Sequence, residues 1–266
     1  MMRLSAATTA AVMCLLCAHA VRSQSTSAPA CVTASRFGIS AGLVWNERRD
    51  LSASPLRFGG RGGLIALDYE RAFGRFSLES SLSGGTRSLE SSSGSAPATE
   101  RLADGQWHAG LLRRFDVVPP SLGELAFGMD VGTAVALTQH DYRDPARRVS
   151  NFVFATTAIG PAISWRQPLL GGTARVHFST PLAAVVAHSY SAINEQNAAT
   201  QQRLVSVGTL RGANGAISFA QNETRRVAAV YVYRFSALRY DDVQPVRTLS
   251  QTLSVGIVTR FGGGAP

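Results

Sequence analysis

The feature that most restricts the fold of this chain is a two-residue alternation of apolar with polar or small side chains. It is sustained in segment after segment between residues 36 and 261. Successive side chains of a β-strand point to opposite faces, so this period selects strands with one greasy face and one polar face. In Arg36 to Asn46, Phe37, Ile39, Ala41, Leu43 and Trp45 alternate with Arg36, Gly38, Ser40, Gly42 and Asn46. The longest run sets Leu125, Phe127, Met129, Val131, Thr133, Val135 and Leu137 against Ala126, Gly128, Asp130, Gly132, Ala134, Ala136 and Thr138. Comparable runs fill 59–73, 76–83, 104–115, 152–166, 173–189, 226–240 and 248–261. The stretch 203–220, with Gly208, Gly212 and Gly215 inside it, fits one strand, a strand with a loop, or two short strands. No helical period competes over 11 or more residues of this region.

The chain ahead of these strands reads differently. Met1-Met2-Arg3, an apolar and small-residue run from Leu4 to Ala20, and the A-x-A-like Ala18-His19-Ala20 form the pattern of a secretory signal. We therefore expect residues 1–23 to be a signal peptide, followed by an N-terminal segment (24–35), a barrel (36–261) and a short tail (262–266). Cys14 and Cys17 would leave with the signal, and Cys31 alone cannot form an intrachain disulfide. The residues before Cys17 lack the small pair that precedes a lipidated cysteine. No later segment offers the 18 or more uncharged apolar residues of a transmembrane helix.

An exported chain of alternating strands is an outer-membrane barrel or a soluble periplasmic barrel or sandwich. The connections favour the membrane. Outer-membrane barrels have short periplasmic turns and longer extracellular loops. Here polar stretches (47–56, 87–100, 141–150, 192–202, 241–247) alternate with short joins (72–75, 118–120, 169–172, 221–224). Nine joins imply ten strands, with eight and twelve open, and place both ends on one side. Phe73, Phe76, Phe115 and Trp165 beside short turns, and Trp45 and Tyr240 beside long ones, sit where interfacial aromatic belts lie.

The terminal run Leu253-Ser254-Val255-Gly256-Ile257-Val258-Thr259-Arg260-Phe261 resembles the closing strand of bacterial outer-membrane β-barrel proteins, an alternating strand that ends in an aromatic. Gly262 to Pro266 follow that aromatic here. The resemblance, to small uncharacterised barrels above all, implies an antiparallel up-and-down barrel in the outer membrane. It also implies that outer-membrane lipids surround the barrel and that the assembly machinery reads Phe261. It is silent on activity.

On this reading the alternation puts Arg36, Asp68, Glu70, Glu79, Asp104, His108, Arg114, Asp130, Arg166, Arg175, His177, Arg234 and Arg260 inside. A narrow barrel is filled by its own side chains, and unpaired buried charges are costly. Arginine, which supplies all 26 basic residues, binds carboxylates bidentately. A salt-bridged filling with a structural or narrow-pore role is the expectation, and a small-solute channel the alternative. His108 and Asp130, on neighbouring strands, are expected to face each other as an ion pair or a general-base arrangement.

Two short motifs carry the enzymatic alternative. His188-Ser189-Tyr190-Ser191 lies where outer-membrane phospholipases and lipid A deacylases have His-x-Ser-Asn, with Ser191 one residue late and the Asn absent. His140-Asp141 resembles the acid and His groups of omptin proteases, without the companion acidic pair. Arg48, Arg49, Arg143, Arg147 and Arg148 are expected at the rim, against anionic head groups or water. Arginines spread along the strands do not form the clustered patch of a nucleic-acid binder. No zinc-ligand spacing, P-loop or dinucleotide fingerprint suggests a metal or cofactor. Gly59-Gly60-Arg61-Gly62-Gly63 lacks the Lys-Ser/Thr of a phosphate loop and leads into a strand.

Overall fold

The computed structural model describes residues 34–51, 56–92, 98–115, 123–142, 150–169, 171–190, 199–222, 225–242 and 245–261. The expected signal peptide, Cys31, Arg143, Arg147, Arg148, Ser191 and the tail lie outside the described residues. The described chain forms twelve strands and no helix: β1 (Ser35–Asp50), β2 (Arg57–Phe73), β3 (Phe76–Ser91), β4 (Ala98–Phe115), β5 (Glu124–Tyr142), β6 (Ser150–Leu169), β7 (Gly172–Ser179), β8 (Ala183–Tyr190), β9 (Ala199–Ser206), β10 (Leu210–Gln221), β11 (Val227–Tyr240) and β12 (Val246–Phe261).

Each strand pairs antiparallel with its neighbour, and β1 pairs with β12 from Ser35↔Phe261 to Asp50↔Val246, which closes the cylinder. Closure removes the unpaired edges that an open sheet exposes. The ring holds ten strands, β1 to β7 and β10 to β12. β8 and β9 stand outside that count. β8 continues β7 along the upper half of β6, and β9 pairs only with β8.

The single strand expected over 173–189 is thus broken, and the cause is Pro181. Proline has no N–H to give to the ladder and occurs in sheets at edges and bulges. Three residues (180–182) bulge opposite two on β6 (160–161), between Ser179↔Ala162 and Ala183↔Ile159. The ladder resumes through Leu182 N–H to the Ile159 carbonyl, 2.9 Å. The stretch 203–220 divides likewise, its turn closed by Thr209 N–H donating to the Ser206 carbonyl.

Gly160 makes the bulge possible. A Cβ there would lie 1.8 Å from the Thr180 carbonyl oxygen, which is backbone and cannot swing aside. Gly160→Val is therefore expected to cost about 1–3 kcal/mol, the usual range for overpacking. Urea unfolding of the refolded protein in phosphatidylcholine vesicles measures it.

The β2–β3 connection is tight, two residues long. Phe73 and Phe76 flank a turn whose Gly74 has φ of 59°, a conformation that glycine adopts without penalty. Their rings stack at 6.1 Å. Toward the long connections the strands run further than the apolar alternation does: β1 reaches Asp50, β3 reaches Ser91 and β4 starts at Ala98. The two-residue period continues there in charged residues, so hydropathy alone does not register it.

The side-chain faces settle how this cylinder is built. Phe37, Ile39, Leu43, Trp45, Ile65, Leu82, Phe127, Met129, Leu253, Val255 and Ile257 are exposed on the outer wall, while Asp130 is buried. This excludes an apolar-core sandwich, whose large hydrophobes turn inward. The outer wall presents an apolar band to its surroundings and the bore is filled from within.

Candidate functional site

The bore has two storeys, and each follows from which inward positions carry charge. In the lower storey, toward the short turns, Glu70 on β2 is the hub. It accepts from Arg36 on β1 at 3.4 Å, from Arg175 on β7 at 3.0 Å, and from Arg166 on β6. Arg175 also pairs with Glu79 on β3, and His177 Nδ1 lies 3.2 Å from Glu79. Arg234 on β11 reaches Asp68 on β2 at 2.6 Å and the Ser254 hydroxyl at 3.3 Å. Pairs between β2 and β6, β7 or β11 cross the hollow of the ring, so this bore is about two side chains wide.

His108 Nδ1 stands 3.5 Å from Asp130 on the adjacent strand. Four acids (Asp68, Glu70, Glu79, Asp130) and four arginines (Arg36, Arg166, Arg175, Arg234) thus share the lower bore. Around them remains a cavity of about 200 Å³, lined also by Ser81, Gln106, Asn214 and Ser218. Arg114 and Arg260 stand at the short-turn end of the bore, Arg260 in register with Arg36. Arg114 is near the short-turn rim, 3.8 Å from exposed Glu124, and Arg260 is exposed. Their inward parity holds, but the strand ends there and water replaces the bore.

The upper storey was not foreseen from the sequence. Arg48 points inward, its side chain 2% exposed, with Nη2 2.9 Å from Asp50 and Nε 3.4 Å from Glu100 on β4. His140 Nε2 is 3.4 Å from Glu100, and His188 Nε2 is 3.4 Å from Asp50. Five side chains from β1, β4, β5 and β8 thus form one buried seam: His140, Glu100, Arg48, Asp50, His188. Arg87 and Asp104, on β3 and β4, pair beside it.

Apolar clusters fill the space on both sides of the seam. Phe58, Leu89, Ala98 and Leu102 form one, and Phe154, Ala184, Val186, Val205, Leu210, Tyr240 and Val246 the other. Phe58 and Phe152 meet the His140 ring edge-on at 5.1 and 5.6 Å, and Phe154 meets His188 at 5.3 Å. None of these apolar residues lines the lower cavity. Seam and clusters together pack the upper bore with side chains that are almost wholly buried.

Three expectations change here. Arg48 is a buried bridge and not a rim residue. Tyr240 turns inward, donates to Asp242 at 2.8 Å and packs on Phe154, so it is no part of an outer belt. His140 and Asp141 do not come together, because consecutive strand residues face opposite ways: His140 is buried and Asp141 exposed. At the other motif His188 faces Asp50, and the Ser189 hydroxyl accepts from Val153 N–H at 3.3 Å. Gly59 to Gly63 lie within β2.

No protein-family model matches the chain, and no curated protein sequence matches it. Solved structures do. The outer membrane protease OmpT from Escherichia coli is 8% identical and superposes with a TM-score of 0.57, covering 90% of this chain and all of OmpT. The fold is that of a bacterial outer-membrane β-barrel. The translocator domain of the autotransporter NalP from Neisseria meningitidis (12% identity, 96% of each chain, TM-score 0.44) is a looser match. So is the attachment invasion locus protein Ail of Yersinia pestis (11% identity, 85% of this chain and 99% of Ail, TM-score 0.32).

Proposed function

We propose that this protein is an integral, non-conducting barrel of the outer membrane, exported by residues 1–23, whose role is structural. The observation that carries the reading is the side-chain packing of the upper bore. The seam from His140 to His188 and the two apolar clusters occupy the cross-section that a solute would need. The lower cavity is a bay beneath that closure, and its charges are already matched to one another. The exposed apolar wall supports burial among lipids, and long connections at the closed end support placing that end outside the cell. Phe261, exposed at the end of β12, is the residue that the assembly machinery would read.

A surface hydrolase built on His188 or His140 is the poorer reading, since both rings are 1% exposed and packed edge-on by phenylalanines. The full-length barrel, purified and inserted into a planar bilayer, is expected to give no steady single-channel openings. Stable, long-lived openings carried by the folded protein would overturn the closed-bore reading and favour transport.

A further inference from the structure

The outer wall carries a second charged feature, independent of the bore. Arg57 on β2 pairs in register with Arg49 on β1, Arg49 with Arg247 on β12, Arg247 with Arg239 on β11, and Arg239 with Arg211 on β10. Five arginines on five adjacent strands therefore stand in one row, every one exposed and of outward parity. Strands are about 4.8 Å apart, so the row is about 19 Å long. Like charges directly opposite each other across strands are destabilising. The inward arginines Arg36, Arg48, Arg87, Arg166, Arg175 and Arg234 are each matched by a carboxylate. In the row, Arg239 meets Asp241 at 2.5 Å and Glu47 lies one step below Arg49 on the same face. Arg49, Arg57, Arg211 and Arg247 have no ion pair among the described residues.

The height of the row is as telling as its charge. It lies on the long-connection side, four residues beyond exposed Trp45 on β1 and two beyond exposed Leu249 on β12. On a strand tilted by about 40°, four residues rise about 10 Å. At the centre of the row Arg49 and Arg247 thus stand just above the apolar band, at head-group level, and the row, perpendicular to the tilted strands, climbs about 12 Å along its length. At the opposite end no such row forms among the described residues: Arg71 faces Ser35 and Leu78, and Arg113 faces Phe76 and Phe127.

We propose that this row is a binding ledge for phosphate-bearing lipid head groups of the outer leaflet. A guanidinium grips phosphate with two parallel hydrogen bonds, and phosphates set between neighbouring arginines remove the repulsion along the row. The inference rests on the outer-membrane reading above, and it assigns to that membrane a specific lipid chemistry on one sector of the wall, β10 to β2 through β12.

The test uses the full-length barrel in detergent micelles, titrated with fluorescent bisphosphorylated lipid A and with the same lipid after enzymatic removal of its phosphates. The phosphorylated lipid is expected to bind at least tenfold more tightly, with the difference shrinking as salt is raised. The triple variant Arg49→Gln, Arg239→Gln, Arg247→Gln is expected to lose that preference, while Arg71→Gln with Arg113→Gln keeps it. Equal binding of the two lipids by the unaltered protein overturns the ledge, a comparison that needs no variant to fold. So does an unchanged preference in a triple variant that retains the heat-sensitive electrophoretic mobility of a folded barrel. Failure of the unaltered chain to insert into lipid vesicles at all would instead sink the outer-membrane reading itself.

Discussion

Replacing Arg48 by methionine is expected to destabilise the barrel by about 3–5 kcal/mol, the cost of removing one partner from a buried ionic set. Against total stabilities of about 5–15 kcal/mol for folded domains, that is a large share. The reason is geometric. Arg48 is the only guanidinium among the five side chains of the upper seam, and it serves both Asp50 and Glu100, whose side chains are 3% and 1% exposed. Methionine fills much of the volume but takes the guanidinium away from two buried carboxylates. The variant Arg48→Met, Asp50→Leu, Glu100→Met is expected to recover most of the loss, because replacing a whole buried ionic set by well-packed hydrophobic residues of similar volume is often nearly neutral. Urea titrations in lipid vesicles, followed by tryptophan fluorescence, supply both numbers. A single-variant loss under about 1 kcal/mol, the range of solvated surface pairs, would mean that water fills the upper bore and that the closure is not dry.

The seam also shows where the sequence stops being legible. Wherever one face is apolar, as from Phe37 to Trp45 or from Leu125 to Leu137, the two-residue period assigns both strand and face. In 47–50 and 98–102 it does not, because both faces carry charge: Glu47 and Arg49 outside, Arg48 and Asp50 inside. Hydropathy then reads loop, although the parity of Trp45 already placed Arg48 and Asp50 in the bore. Extending that parity past the last hydrophobe was the signal that could have found the seam. The partners were beyond reach. Arg48 meets Glu100 and Asp50 meets His188 across a closed ring, and such pairs depend on curvature and strand stagger, which no local pattern encodes. His108 and Asp130 were legible because they lie on adjacent strands joined by one turn. The break at Pro181 was equally local, since a proline within an alternating run demotes the strand. The arginine row is intermediate: its residues are individually plain in the sequence, but their alignment exists only through four strand registers.

Glu70→Gln is expected to cost about 3–5 kcal/mol as well, and its comparison with Asp68→Asn measures how dry the lower bore is. Glu70 is 11% exposed at its side chain and is shared by Arg36, Arg166 and Arg175. Its loss leaves three guanidiniums converging on a space that no longer holds the carboxylate they share, while Arg175 keeps Glu79. Asp68, two residues away on the same face, has a side chain 40% exposed and one arginine partner, Arg234, which also holds the Ser254 hydroxyl. An ion pair that open to water is worth about 0–1 kcal/mol, so Asp68→Asn is expected to shift stability by no more than that. The two substitutions remove the same charge from neighbouring positions of one strand, so the difference between them isolates solvation and partner number. Comparable small losses at both sites would show that the lower bore is water-filled from end to end. A large loss at Glu70 with a small one at Asp68 is what a cross-braced barrel requires, in which a shared carboxylate ties β1, β2, β6 and β7 together through the interior as the ladder ties them around the wall.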